Sequence, residues 1–509
     1  MVGTATIAAL DPTGGAAPVI EYRFPHLRQV PEAAAVAPSP QMGASALTYG
    51  WDTAFAICIP DVNAAIVKAG ASPKNFTQVA PDQSCSATGT FGVWQVCRGG
   101  DGVLIHFSIP IATGSMSFQG KNYPMAGGVA TIEVQLRHIP PQPQPQSAPG
   151  AAPSAHDLVV RIATDSETDP VVSVIDLTVP DDPGFIGRAL MANLLALWFN
   201  DNLAAFSHIF STVTINRVVD KDQFLWLAPT HTSYAYADGP TDAESILGVL
   251  CMTQQRPDGG IASQLSPNAI PPGARAGFLI SQARFLEEMV LPALPMAFPG
   301  SSAADFAMSP DGTAVVNIAN VNMASVSCAG ISYQPVLTSL NISVMGEEIV
   351  VASSTRTDIA LGTYSEVTVT SYQRLKAATK PDQSQTLVYE QTRPPILDHS
   401  VQSTETGAAL KIILAVAAVV IAAILTLLTG GAFLIVALII LALLVGLLEA
   451  LPNLIANAVG NEVSDTSPSL ALLVANATDP IRWQGGSDFV LTWAGMNDSL
   501  QLGGNPGFT

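Results

Sequence analysis

Apolar and polar residues alternate one by one along residues 129–137. Ile132, Val134 and Leu136 share one face, and Glu133, Gln135 and Arg137 the other. That period of two is the mark of a half-buried β-strand. It recurs through residues 314–391, where Leu340, Ile342 and Val344 alternate with Asn341 and Ser343, and Val367 and Val369 with Glu366, Thr368 and Thr370. Antiparallel strands with one covered face produce this pattern, so the region is predicted to be almost wholly β. Further strands are expected at 102–110, 158–163 and 171–179, and residues 48–59, TYGWDTAFAICI, open the structured part. A shorter set of segments reads as helix. Asp61 offers an N-cap and Gly70 a stop for a helix over 62–69. Asp182 and Pro183 open a second, running to about residue 206 with Leu190, Leu194, Leu197 and Trp198 at helical spacing. A third is predicted over 276–291, ended by Pro292, with Leu279, Leu286, Met289 and Val290 on its stripe. The fold class that follows is α+β, large antiparallel sheets with a few long apolar helices lying against them.

Two runs break the pattern. Residues 412–428 are apolar except for Thr426, and residues 432–448 are apolar with Gly446 inside. Thr429, Gly430 and Gly431 separate them, and Lys411 and Glu449 flank the pair. Each run has 17 residues. As a helix it is about 25 Å long, just short of the ~30 Å hydrocarbon core of a bilayer. An apolar helical hairpin is expected. It serves as buried core, as a membrane anchor, or as an element that leaves its cover to insert. Ile413, Val420, Leu427, Leu434, Leu438 and Leu441 are its candidate lipid contacts.

Charge narrows the partners. The 509 residues carry 21 Lys and Arg against 40 Asp and Glu, a net charge of −19. Nucleic-acid binding needs cations that displace counterions, and docking on anionic membranes needs them too, so both are disfavoured. Cys58, Cys85, Cys97, Cys251 and Cys328 include no C-x-x-C pair, and the seven histidines are scattered. Reduced, buried thiols fit this odd count better than a Cys85–Cys97 bridge, and no metal or cofactor is expected. Nucleophile elbow, phosphate loop and metalloprotease motifs are missing, so a non-enzyme is expected. His231 stands among hydroxyls without an evident acid partner and reads as a structural turn. Glu287–Glu288 reads as a solvated helix face. The N-terminus lacks a basic region followed by an apolar core. Cytoplasmic synthesis without a conventional signal peptide is therefore expected, with extracellular release by another route left open.

Ordered blocks carry a resemblance. They are TYGWDTAFAICIPDVNAAI at 48–66; the central series WFNDNLAAFSHIFSTVTIN, FLWLAPTHTSYAYAD, ILGVLCMTQQRP and SPNAIPPGARAGFLISQARFLEEMVLPAL; and DPIRWQGGSDFVLTWAGMNDSLQLGG at 479–504. In them the chain resembles the clostridial forty-seven-kilodalton protein family. The resemblance implies a tubular lipid-binding (TULIP) fold, in which a long curved antiparallel sheet wraps a long helix beside an apolar groove. It implies a non-enzymatic, lipid-binding accessory protein of a toxin-associated kind. The implied partners are a lipid or other hydrophobic ligand and a toxin or sibling accessory protein, and a membrane is the partner that the apolar hairpin adds. Tyr49, Gly50, Trp51, Asp52, Trp226, Pro229, Thr230 and Trp483 match family blocks, and a structural role is expected for each. The expected organisation is a loosely ordered segment 1–45, a body 46–407 with a Pro- and Gln-rich loop at 140–155, the hairpin 408–462, and a C-terminal β segment 463–509 that completes the body. A pore-forming component acting through the hairpin and a hydrolase with an unrecognised site are the competing functions.

Overall fold

The computed structural model describes residues 20–22, 45–70, 72–138, 155–160, 171–181, 183–203, 212–214, 225–298, 300–323, 325–328, 330–379, 385–403, 474, 477–478, 481–482 and 489–506. The hairpin with its six candidate contacts, most of the loop 140–155 and Trp483 lie outside these residues. Among the described residues no helix is long and apolar enough to cross a membrane. The chain divides into two compact units. One comprises Ser45–Ser281, Val474–Trp493 and Gln501–Thr509, and the other Met1–Ala44, Gln282–Leu473 and Ala494–Leu500.

In the Ser45 unit one sheet sets Pro229–Ala237, Ile246–Thr253, Thr53–Cys58 and Ala276–Ile280 side by side, all antiparallel. Every residue of Ile246–Thr253 and of Ala276–Ile280 is buried. The second strand corrects the predicted helix over 276–291. A short apolar run such as AGFLI carries no periodicity that separates a fully buried strand from a helix. A second sheet is built around Leu104–Phe118, with Cys85–Phe91 and Val129–His138 among its neighbours. The helix Gly184–Asp201 packs Trp198 and Phe199 onto Phe91, whose ring lies 5.1 and 5.7 Å from theirs. Asn200 pins that helix. Its side chain accepts from Val172 N at 3.2 Å and donates to Val172 O at 2.8 Å.

The first helix runs Ile59–Ala69, three residues longer at its start than predicted, because Pro60 tolerates the first turn. Gly70 closes it at φ 58° as expected. Asp61 is therefore not the cap. It is fully buried inside the first turn, pairs with Arg275 through Oδ1, and leaves Oδ2 without a hydrogen-bond partner among the described residues. Burial pushes the Asp61 carboxyl above its ordinary value, and Arg275 only partly pulls it back. A raised carboxyl means that the folded chain holds a proton which the unfolded chain has already lost. Stability should then fall as pH rises through the window just above the ordinary carboxylate value. Urea midpoints between about pH 4 and pH 7 should show that fall in the wild type. Asp61→Asn should show less of it, and equal slopes in the two proteins would contradict the assignment.

The Gln282 unit is dominated by consecutive antiparallel strands, Val336–Met345, Glu348–Ala360, Thr363–Thr379 and Gln385–Ser403. This is the β-rich region that alternation predicts. Ile20–Tyr22 pairs with the last three residues of Gln385–Ser403. The helical part begins only at Gln282, widens to a π-turn over Leu286–Val290, and continues to Ala297, past Pro292. Glu287 and Glu288 do not form a solvated face. They hold the buried Arg284 at 2.7 and 3.0 Å, because a guanidinium taken out of water requires carboxylate partners.

Candidate functional site

Seven of the eight family-block residues belong to the Ser45 unit and are described. Tyr49 and Gly50 turn the chain at φ 51° and 96°, and a Cβ on Gly50 would press on Ile261 at 3.3 Å. The turn delivers Trp51 and Asp52 to the start of Thr53–Cys58. Trp51 is buried and donates its Nε1–H to Ala262 O at 3.1 Å. Asp52 is engaged at every polar atom. Its N–H donates to Cys251 O and its carbonyl accepts from Ser281 N. Oδ2 accepts from Thr253 N at 2.8 Å and Thr253 Oγ1 at 2.9 Å, and Arg256 Nε stands 3.5 Å from Oδ1. Thr230 Oγ1 donates to Met252 O and accepts from Gln255 N, both at 3.1 Å. Pro229 begins the same strand, and Trp226 is buried in the turn before it.

His231 corrects the sequence reading. It lies on a strand rather than a turn, and it has an acid partner, Asp258 Oδ2, at 3.1 Å from Nε2. Its ring stacks on Trp51 at 6.1 Å and 8°. Asp258 comes from the loop beyond the neighbouring strand, so spacing along the chain carried no sign of it. Among the described residues no hydroxyl or thiol hydrogen-bonds to His231. Burial pushes Cys58 and Cys97 up to about 11 and Cys251 up to about 12, so none is an activated thiolate at neutral pH. Among the described residues no cluster of three or more His, Cys, Asp or Glu is placed to hold a metal. This locus joins distant parts of the chain and aligns no nucleophile with its base.

The Gln282 unit carries a different arrangement. Ser353, Thr355 and Thr357 share one face of Glu348–Ala360. By register they lie beside Val369, Val367 and Ser365 of the next strand. Leu397, His399 and Val401 of the third strand continue these rows. All nine side chains are buried. Thr355 Oγ1 donates to Val367 O at 3.3 Å, and Thr363 and Ser403 hydroxyls share a bond of 2.6 Å. Ser353, Thr357, Ser365 and Ser371 hydroxyls have no hydrogen-bond partner among the described residues. Leaving a buried hydroxyl unpaired costs about 1–3 kcal/mol each. At ~3.3 Å per residue the four mark a track about 20 Å long. The signal in the sequence is phase: residues 353, 355 and 357 continue the parity of the buried Ile349 and Val351.

The family described as OrfX-like, Protein OrfX2/OrfX3/P47, matches residues 48–504. Protein OrfX3 of Paraclostridium bifermentans is 29% identical over 488 residues, 90% of this chain and 98% of that protein. Protein OrfX3 of Clostridium botulinum (strain Kyoto / Type A2) is 30% identical over 490 residues, with the same coverage of both. Among solved structures, P47 from Clostridium botulinum A2 superposes with a TM-score of 0.61 at 17% identity, covering 91% of this chain and 99% of that one. P47 of Clostridium botulinum E1 follows at 0.57 and 16%, covering 90% and 100%. At these identities the likeness speaks for the fold, and the match to residues 48–504 speaks for kinship. The chain belongs to the OrfX-like family of OrfX2, OrfX3 and P47 proteins.

Proposed function

We propose that the chain is a non-enzymatic, lipid-handling accessory protein of a toxin-associated kind, with a TULIP-type groove. The observation that supports this reading is the buried face on which Ser353, Thr357, Ser365 and Ser371, beside Val367 and Val369, lack hydrogen-bond partners among the described residues. A bound amphiphile supplies both what the hydroxyls lack and the apolar area that the valines cover, at about 25 cal/mol per Å2. A toxin or a sibling accessory protein is the polypeptide partner such a role implies. Native mass spectrometry of the purified chain, followed by lipid extraction, tests the reading. Acyl-chain amphiphiles should co-purify. Thr357→Val with Ser365→Ala should reduce their occupancy several-fold and yet stabilise the emptied protein by about 2–6 kcal/mol, because two unpaired hydroxyls are gone. Lipid-free wild-type protein, or unchanged occupancy in the double variant, would count against it. A second reading, insertion through residues 412–448, is favoured by their two uncharged 17-residue runs.

A further inference from the structure

We propose that the turn between Glu348–Ala360 and Thr363–Thr379 is a bilayer-contacting tip of the Gln282 unit, a step that rests on the lipid-handling reading. Leu361 forms the apex and is 94% exposed, with Gly362 at φ 72° completing the two-residue turn. A leucine so nearly free stands on a convex point, which suits a deformable bilayer better than a flat protein face. The next row inward is amphipathic. Tyr364 lies opposite Asp358 in the ladder, and the Arg356 guanidinium sits 3.8 Å from the Tyr364 ring centre. An apolar apex followed by Tyr and Arg is the order in which side chains meet hydrocarbon, interface and headgroup.

The path of the chain points the same way. Thr363 is paired with Ser403, so the strand Gln385–Ser403 ends beside this turn. The first apolar run starts at Ile412, nine residues later. Nine residues reach roughly 30 Å at full extension, which lets one bilayer take both this run and the Leu361 apex. Asp358 beside the tip and the net charge of −19 favour zwitterionic over anionic lipid.

Flotation of the full chain with phosphatidylcholine vesicles tests this. Leu361→Asp should cut the vesicle-bound fraction by at least about tenfold. Leu361→Trp should raise it several-fold, and both should melt as the wild type does, since the side chain touches almost nothing. Adding phosphatidylserine should weaken binding. Wild-type protein that stays off the vesicles, or Leu361→Asp protein that floats like the wild type, would overturn the tip. If acyl lipids still co-purify in that case, lipid handling stands and only the tip falls. If none co-purify but Leu361→Asp abolishes flotation, the tip stands and the uptake reading falls.

Discussion

Replacing Val420 and Leu438 together by aspartate is expected to abolish binding to vesicles. Both lie near the middle of their uncharged 17-residue runs. A charge at mid-bilayer costs about 2.5–3.5 kcal/mol, so two cost roughly 5–7 kcal/mol and lower binding by several thousandfold or more. Thermal melts decide what such a loss means. A variant that melts like the wild type but no longer floats has lost insertion. A variant that is unfolded at room temperature shows the runs to be core, because two unpaired buried carboxylates exceed the usual margin of about 5–15 kcal/mol when cavity and strain are added. Normal melting with normal flotation would exclude both roles.

Asp52→Ala should destabilise the Ser45 unit by about 3–5 kcal/mol. The carboxylate is buried and accepts from Thr253 N and Oγ1 at 2.8 and 2.9 Å. Removing it leaves a buried backbone N–H unpaired and takes away the carboxylate 3.5 Å from Arg256 Nε. Asp52→Asn, which keeps one acceptor, should lose less than half as much. Denaturant midpoints at constant slope check this, and a loss below about 1 kcal/mol for the alanine variant would show the locus to be loosely coupled.

The β-rich character of the Gln282 unit was legible because Val367 and Val369 alternate with polar neighbours, and alternation survives any change in what covers the sheet. The helix Gly184–Asp201 was legible from its Leu and Trp spacing. Ala276–Ile280 was not, since a strand buried on both faces has lost the polar half of its pattern. Asp61 failed as a cap for a related reason. Pro60 shifted the start of the helix, and a carboxylate at the cap and one in the first turn look alike in sequence. The pairing of His231 with Asp258, and of Arg284 with Glu287 and Glu288, was hidden differently. Asp258 reaches His231 only through the tertiary fold, whereas Glu287 and Glu288 stand three and four residues from Arg284, a spacing that the sequence shows, and what it hides is the burial of Arg284. The hydroxyl track was present in the sequence as phase, but Ser and Thr serve water-facing and covered positions equally well.

The place of Thr53–Cys58 in its sheet also governs when the protein can fold. The strand leaves the ribosome well before its two neighbours, Ile246–Thr253 and Ala276–Ile280. The closing hydrogen bonds from Thr253 to Asp52 span 201 residues. At about 5–20 residues per second, the strand TAFAIC waits roughly ten seconds or longer for its partners to be synthesised. Through that interval it is an apolar strand with two bare edges, the kind of segment that seeds aggregation in a nascent chain. Recombinant yield should therefore depend on translation speed and on holdase capacity more than on the stability of the finished fold.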